Sequence, residues 1–148
     1  MREKTTSVQI VLAQHCNTIK KPRLFGGQLM EWIDVTGAVA ARRYTGHNVT
    51  TASIDNLSFI NPAFINDIVV QEAYVTWTGR TSLEVRVDSF VERNGERQEI
   101  NVAHLVFVAL DENDQPTPVP QFLPETDEEK TEYSEALIRR AIRLKKFM

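Results

Sequence analysis

The sequence predicts an α+β domain: a curved, antiparallel five-stranded sheet wrapped around one long central helix, plus a C-terminal helix. Three observations carry this. Before residue 48, helical apolar spacing occurs over one stretch only, from about Gly27 to Arg43. Strand-like runs fill most of the chain around it. The turns between those runs are too short for the long crossovers that parallel strands require.

The first strand is the run from Ser7 to Ala13. The helix follows, with Leu29, Met30, Ile33, Gly37, Ala40 and Ala41 as its apolar stripe. Gly37, Ala38, Ala40 and Ala41 are small, so a sheet can approach the helix closely and curve around it. Thr45-Gly-His-Asn48 ends the helix. Four strands come next: Val49 to Phe59, stopping at Asn61-Pro62; Asp67 to Thr78; Ser82 to Glu92; and Gln98 to Leu110. The third of these sets Leu83, Val85 and Val87 against Glu84, Arg86 and Asp88, and Asn94-Gly95 supplies its hairpin turn. A proline-rich stretch, Pro116 to Pro124, leads to the last helix, which Glu125, Asp127, Glu128 and Glu129 open and which runs to about Lys146. Acids at its start and bases at its end suit the helix dipole. Residues 1–124 are read as a single domain and 125–148 as a helical extension.

Length and composition narrow the function. At 148 residues the chain makes one domain, large enough to bury a core without disulfides or metal. No apolar run approaches the ~20 residues of a membrane span. The charged opening and the short Ser7–Ala13 stretch do not make a signal peptide, so the expected location is cytoplasmic. A single cysteine, Cys16, excludes an intrachain disulfide and a multi-thiolate metal site. Its neighbour His15 is no ready partner, because adjacent side chains point different ways. The Asn48-Val-Thr50 sequon has no role outside the secretory route. A net charge of −3 argues against general nucleic-acid binding. Within the final helix, residues from Tyr133 onward carry Arg139, Arg140, Arg143, Lys145 and Lys146 against Glu135 alone. That basic half suits either an anion site or packing.

Three features suit chemistry. Phe25-Gly26-Gly27 stands where a helix cap belongs, and paired glycines beside unpaired helix N–H groups fit an anion or an oxyanion as well as a plain turn. Asp34 lies about two turns into the helix, between the apolar stripe and small residues, beyond the reach of the dipole argument. It fits a general base, or an acid at the stripe's edge that is solvated or hydrogen-bonded. Glu31 and Glu72 read as surface acids. Thr78-Gly79-Arg80-Thr81-Ser82 joins a turn glycine, a cation and hydroxyls, suited to phosphate or amide contacts and equally to a polar hairpin.

Five blocks, in order, resemble the hotdog-fold acyl-CoA thioesterases of the YciA-like and cytosolic acyl-CoA hydrolase type. They are Leu24 to Asp34 (LFGGQLMEWID), Val49 to Asp55 (VTTASID), Thr78 to Val85 (TGRTSLEV), Phe107 to Asp111 (FVALD) and Pro116 to Pro120 (PTPVP). The resemblance implies a hotdog fold and hydrolysis of acyl-CoA to free fatty acid and CoA. Asp34 would be the catalytic acid, activating water or attacking directly. Backbone N–H groups at Gly26 and Gly27 would form the oxyanion hole. Thr78, Gly79, Arg80, Thr81 and Ser82 would meet coenzyme A, with Arg43 a further cation. No metal or other cofactor is implied. The partners implied are the acyl-CoA substrate and further copies of the chain: a dimer at least, and a hexamer of three dimers.

The chain departs from the family at one place of consequence. Where the family reads Asn-x-x-Gly ahead of Phe-Gly-Gly, this sequence has Ile19-Lys-Lys-Pro22. Asn17, two residues upstream, is the candidate substitute. The loss also supports a second reading, a domain that binds acyl-CoA as a sensor or degenerate subunit without efficient turnover. Asn66 replaces a frequent glycine, and asparagine tolerates the left-handed conformation expected there. A dehydratase would need a His/acid pair on the first helix and its loops, and His15, His47 and His104 are not placed for it. Trp32, Phe59 and Phe64 are candidates for an acyl tunnel or for the core.

Overall fold

A computed structural model describes residues 2–55 and 58–146. Its elements are β1 (Thr5–Ile10), α1 (Gly26–Thr45), β2 (Asn48–Asp55), β3 (Ile68–Thr78), β4 (Ser82–Arg93), β5 (Glu96–Leu110) and α2 (Asp127–Lys145). The strands form one antiparallel sheet in the order β1-β3-β4-β5-β2. Each expected element is present with shifted ends. β1 stops at Ile10 because its partner β3 begins opposite, at Ile68, and Val11 turns into the core instead. β2 ends at Asp55; of the expected continuation to Phe59, residues 56 and 57 lie outside the described residues, and Ser58 and Phe59 are not in a strand.

The sheet curves around α1. Leu29, Trp32, Ile33, Thr36, Gly37, Ala40 and Ala41 of α1 are buried, whereas Met30, expected on the stripe, is 40% exposed. A methyl group on Gly37 would lie 3.3 Å from the Phe107 ring, so glycine sets how closely helix and sheet approach. A buried polar chain fixes the helix's rotation. Thr36 donates to the Gln71 side-chain oxygen at 3.0 Å, Gln71 donates to Ser89 at 3.0 Å, and Ser7 lies 2.9 Å from the Thr36 hydroxyl. With partners for each, these groups bring three strands into register with one helix turn. Gly46, at φ 73°, closes α1 by donating to the Arg42 carbonyl, as the Thr45–Asn48 turn predicts. Asn94 and Gly95 take the left-handed pair of the β4–β5 hairpin, and Asn66 also has positive φ.

The opposite face of the sheet is covered too. Glu84 on β4 is fully buried and takes two bonds from Arg139 of α2, at 2.7 and 2.9 Å, and one from Thr76 at 2.6 Å. The alternation in β4 therefore separates two buried faces, where sequence reasoning would place water on the charged one. A bulge between Val75 and Trp77 lets both Thr76 and Trp77 face α2, where Arg140 stacks 5.5 Å from the Trp77 ring. Thr126 caps α2 by accepting from the Glu129 N–H. The proline-rich segment is pinned along the β3–β4 turn: Val119 donates to the Arg80 carbonyl and the Tyr44 hydroxyl to the Pro120 carbonyl.

Candidate active site

Asp34 stands half-buried on α1, at the border between its inner and outer faces. Thr51 of β2 donates its hydroxyl to Asp34 Oδ1 at 2.6 Å, the length of a charge-assisted bond. β2 slips register against β5 between Thr51 and Ser53. Such bulges re-aim side chains, and this one lies where Thr51 reaches the helix. Sequence reasoning gave Thr51 no role. Thr50, Thr51, Ala52 and Ser53 alternate too weakly to single it out, and only the bulge decides which threonine meets Asp34.

The start of α1 is open. Phe25, its N-cap, supplies no side-chain acceptor, and Gly26 and Gly27 stand too early in the helix for an acceptor four residues back within it. Gln28 and Leu29 instead donate to the Phe25 carbonyl, at 3.0 and 3.1 Å. A methyl group on Gly27 would sit 2.5 Å from the Phe25 ring, so an ordinary side chain here would displace that ring. A cleft of about 330 Å³, lined by Arg23, Leu24, Phe59, Ile60, Asn61 and Pro62, adjoins this end. Asn17 closes the loop before it: its Oδ1 accepts from the Arg23 N–H at 3.2 Å, and its own N–H donates to the Arg23 carbonyl. Ile19 lies in that loop, half exposed.

The 78–82 turn lies at the other end of α1. Gly79 donates to the Ser82 carbonyl at 2.8 Å, and a methyl group on it would strike Trp77 at 2.7 Å. Thr78 is buried, and its hydroxyl accepts from the Phe122 N–H at 3.0 Å, so it braces the proline-rich segment. Arg80 is exposed at the tip, with Thr81 and Ser82 half-buried beside it. Gln121 donates to the Gly79 carbonyl and also lines a cleft of about 420 Å³ with Arg43, Arg2, Tyr44, Tyr74 and Phe122. Arg43 thus shares its surroundings with the turn.

One chain therefore joins Asp34 to Thr51, while Arg43 donates to the Thr5 hydroxyl at 3.4 Å and lines the same cleft as Gln121, which is bonded to the turn at Gly79. The same chain does not join Asp34 to the helix glycines: at 1.5 Å per residue, Gly27 lies about 10 Å along the axis from Asp34. Gly26 and Arg43 are separated along the same axis by about 25 Å. His15 and Cys16 are otherwise engaged. The His15 Nδ1 accepts from the Leu12 N–H and its ring meets Trp32 edge-on, while the Cys16 thiol donates to the Leu12 carbonyl and burial raises its pKa. Trp32 belongs to the core, Phe59 packs against it, and Phe64 lies under Lys21 and Arg23. No described helix is long and apolar enough to cross a membrane.

The chain is similar to known proteins in sequence and in fold. Residues 22–97 match the thioesterase superfamily. Among relatives, the uncharacterized acyl-CoA thioester hydrolase YkhA of Bacillus subtilis is 44% identical over 108 residues, covering 72% of this chain and 63% of that protein. Against the first curated relatives it matches, the chain spans from about a quarter to just under two thirds of their length. Among solved structures, an apo-hexameric acyl-CoA thioesterase superposes with a TM-score of 0.86 at 36% identity, covering 97% of this chain and 92% of that one. The acyl-CoA hydrolase of Staphylococcus aureus, in complex with butyryl coenzyme A, coenzyme A and coenzyme A disulfide, gives 0.82 at 33% identity, covering 97% and 90%. That enzyme is also known with an Asn, an Asp and a Thr each changed to alanine. Its Asp and Thr are 17 residues apart, the separation of Asp34 and Thr51, and its Asn precedes the Asp by the interval that falls on Ile19 here. Fold, residue spacing and sequence agree, and the chain belongs to the thioesterase superfamily.

Proposed function

We propose that the chain is a cytoplasmic acyl-CoA thioesterase that releases free fatty acid and CoA. The observation that carries this is the Asp34–Thr51 pair: a half-buried carboxylate held by one oxygen, with the other left to act. Thr51 orients the carboxylate, and Asp34 takes a proton from water as it attacks the thioester carbonyl, or attacks that carbon itself. The N–H groups of Gly26 and Gly27 stabilise the developing oxyanion. Collapse of the tetrahedral intermediate expels the CoA thiolate, which takes up the proton that Asp34 drew from water; where Asp34 itself attacks, collapse leaves an acyl–Asp34 anhydride, and a water that hydrolyses it releases the fatty acid, restores the carboxylate and supplies the thiolate's proton. A carbonyl cannot touch Asp34 and the glycines of one chain across about 10 Å, so the two parts come from different copies. β1 and β2 are the two edge strands of the sheet, and β2, which carries Thr51 beside Asp34, is the edge proposed for pairing. The working form is thus a dimer at least and, by likeness to the hexameric neighbour, a trimer of dimers. Arg80, Thr81, Ser82 and Arg43 hold the CoA end, with Gly79 and Thr78 shaping their turn and Asn17 shaping the loop before the glycines. The scheme needs no metal or further cofactor.

Ile19 favours one second reading, an acyl-CoA binder with little turnover. Thiol release from a panel of acyl-CoAs, short to long, with wild type beside Asp34→Asn, decides between them. Hydrolysis that falls at least 100-fold in Asp34→Asn is the expected result. No release at any chain length, with CoA still bound, leaves the sensor reading.

A further inference from the structure

α2 is built inside out. Three of its charged residues turn inward: Glu132 meets Arg2 at 3.0 Å, Arg139 meets Glu84 at 2.7 Å, and Arg143 lies 3.7 Å from Asp55. Leu137, Ile138, Ile142 and Leu144 point the other way, 46, 62, 54 and 47% exposed, with exposed Ala141 among them. At 3.6 residues per turn these five share one side of the helix, opposite Glu132, Ala136, Arg139 and Arg143. An aliphatic stripe turned to water loses the burial energy its side chains offer, and it marks a contact surface.

The order of residues along the stripe indicates what covers it. From Glu135 to Lys145 the outward residues read acid, Leu, Ile, Ala, Ile, Leu, base. The pattern nearly repeats when reversed about residues 140 and 141, except that charge changes sign. Two such helices laid antiparallel set Leu137 against Leu144, Ile138 against Ile142 and Glu135 against Lys145. Ala141 of each falls near the twofold axis, where its small side chain permits close approach. A parallel pair would set acid on acid and base on base, and would align the helix dipoles unfavourably.

We infer that the outward face of α2 is a contact between two copies of this chain, helix against helix, antiparallel about a twofold axis beside Ala141. It is an isologous contact, so each interaction is made twice. Four aliphatic side chains supply less than the ~800 Å² per partner of a free-standing interface. The contact therefore joins units that already assemble through another surface. It follows from α2 alone and does not depend on the acyl-CoA reading.

Sedimentation gives the test. Wild type is expected at more than two copies of the 16.9 kDa chain, and the Ile138→Asp, Ile142→Asp double variant at a smaller multiple with unchanged circular dichroism. Lys145→Glu should shrink the assembly in the same way, and adding Glu135→Lys should restore it. In a Cys16→Ser background, Ala141→Cys should form a disulfide-linked dimer under mild oxidation. Thr131→Cys should not, because it would lie roughly 30 Å from its counterpart. Equal masses for wild type and the double variant, or no Ala141→Cys dimer, overturn the inference. Equal masses together with loss of binding to phosphatidylglycerol vesicles would assign the stripe to a lipid surface instead.

Discussion

The hydroxyl of Thr51 fixes one oxygen of Asp34, and in the proposed reaction the two act together. Thr51→Ala should lower kcat by roughly 10- to 100-fold with little change in KM, the signature of an interaction that matters in the transition state. Thr51→Ser keeps the hydroxyl and should recover most of the rate in the same thiol assay. Ile19 has no hydrogen-bonding side chain. If an amide there limits the reaction, Ile19→Asn should raise kcat several-fold, and an unchanged rate would show that the loop closed by Asn17 and Arg23 works another way. Asp34, the glycines and the 78–82 turn stand out in the sequence because residue type and position in a known motif single them out. Thr51 was not, since a bulge in β2 selects it, and a bulge leaves no mark in so polar a run. Thr78 was read as a ligand contact, while in the fold its hydroxyl is taken up by the Phe122 N–H.

At the scale of elements, the period of α1 and the turn residues predicted the sheet and helix order, because these depend on local chemistry. The role of α2 was hidden. Its docking relies on ion pairs, so its inner face carries no apolar stripe, and the β4 acids beneath it look like a solvent face in sequence. Glu84 shows the energetics. Burial opposes its charge, but the hydrogen bonds from Arg139 and Thr76 prevail and hold its pKa below the usual value. Glu84→Gln leaves Arg139 without its countercharge and should destabilise the fold by about 3 kcal/mol, read from denaturant titration. Gly37 is the matching constraint on α1. Gly37→Ala gains up to ~1 kcal/mol of helix propensity but crowds Phe107 and Val87, where overpacking costs roughly 1–3 kcal/mol. A net loss is expected in the same titration.

At the scale of the whole molecule, stability should depend on pH through His104. Burial first, then Arg139, lowers its pKa below 6.5 in the fold, although Glu84 and Asp55 pull the other way. The unfolded chain takes up that proton first, so stability is complete above about pH 6.5 and falls on acidification toward the folded-state value. Thermal midpoints measured from pH 7 to 5 should decline, and His104→Gln should flatten the slope. The distance between Asp34 and the glycines along α1 has a further, genetic consequence. In the proposed shared site, Asp34→Asn spoils one half, and Gly26→Pro, which removes an N–H at a helix position that accepts proline, spoils the other. Each variant alone should be inactive. Co-expressed, they would form mixed pairs in which one intact carboxylate faces one intact helix start, so two null alleles should complement each other.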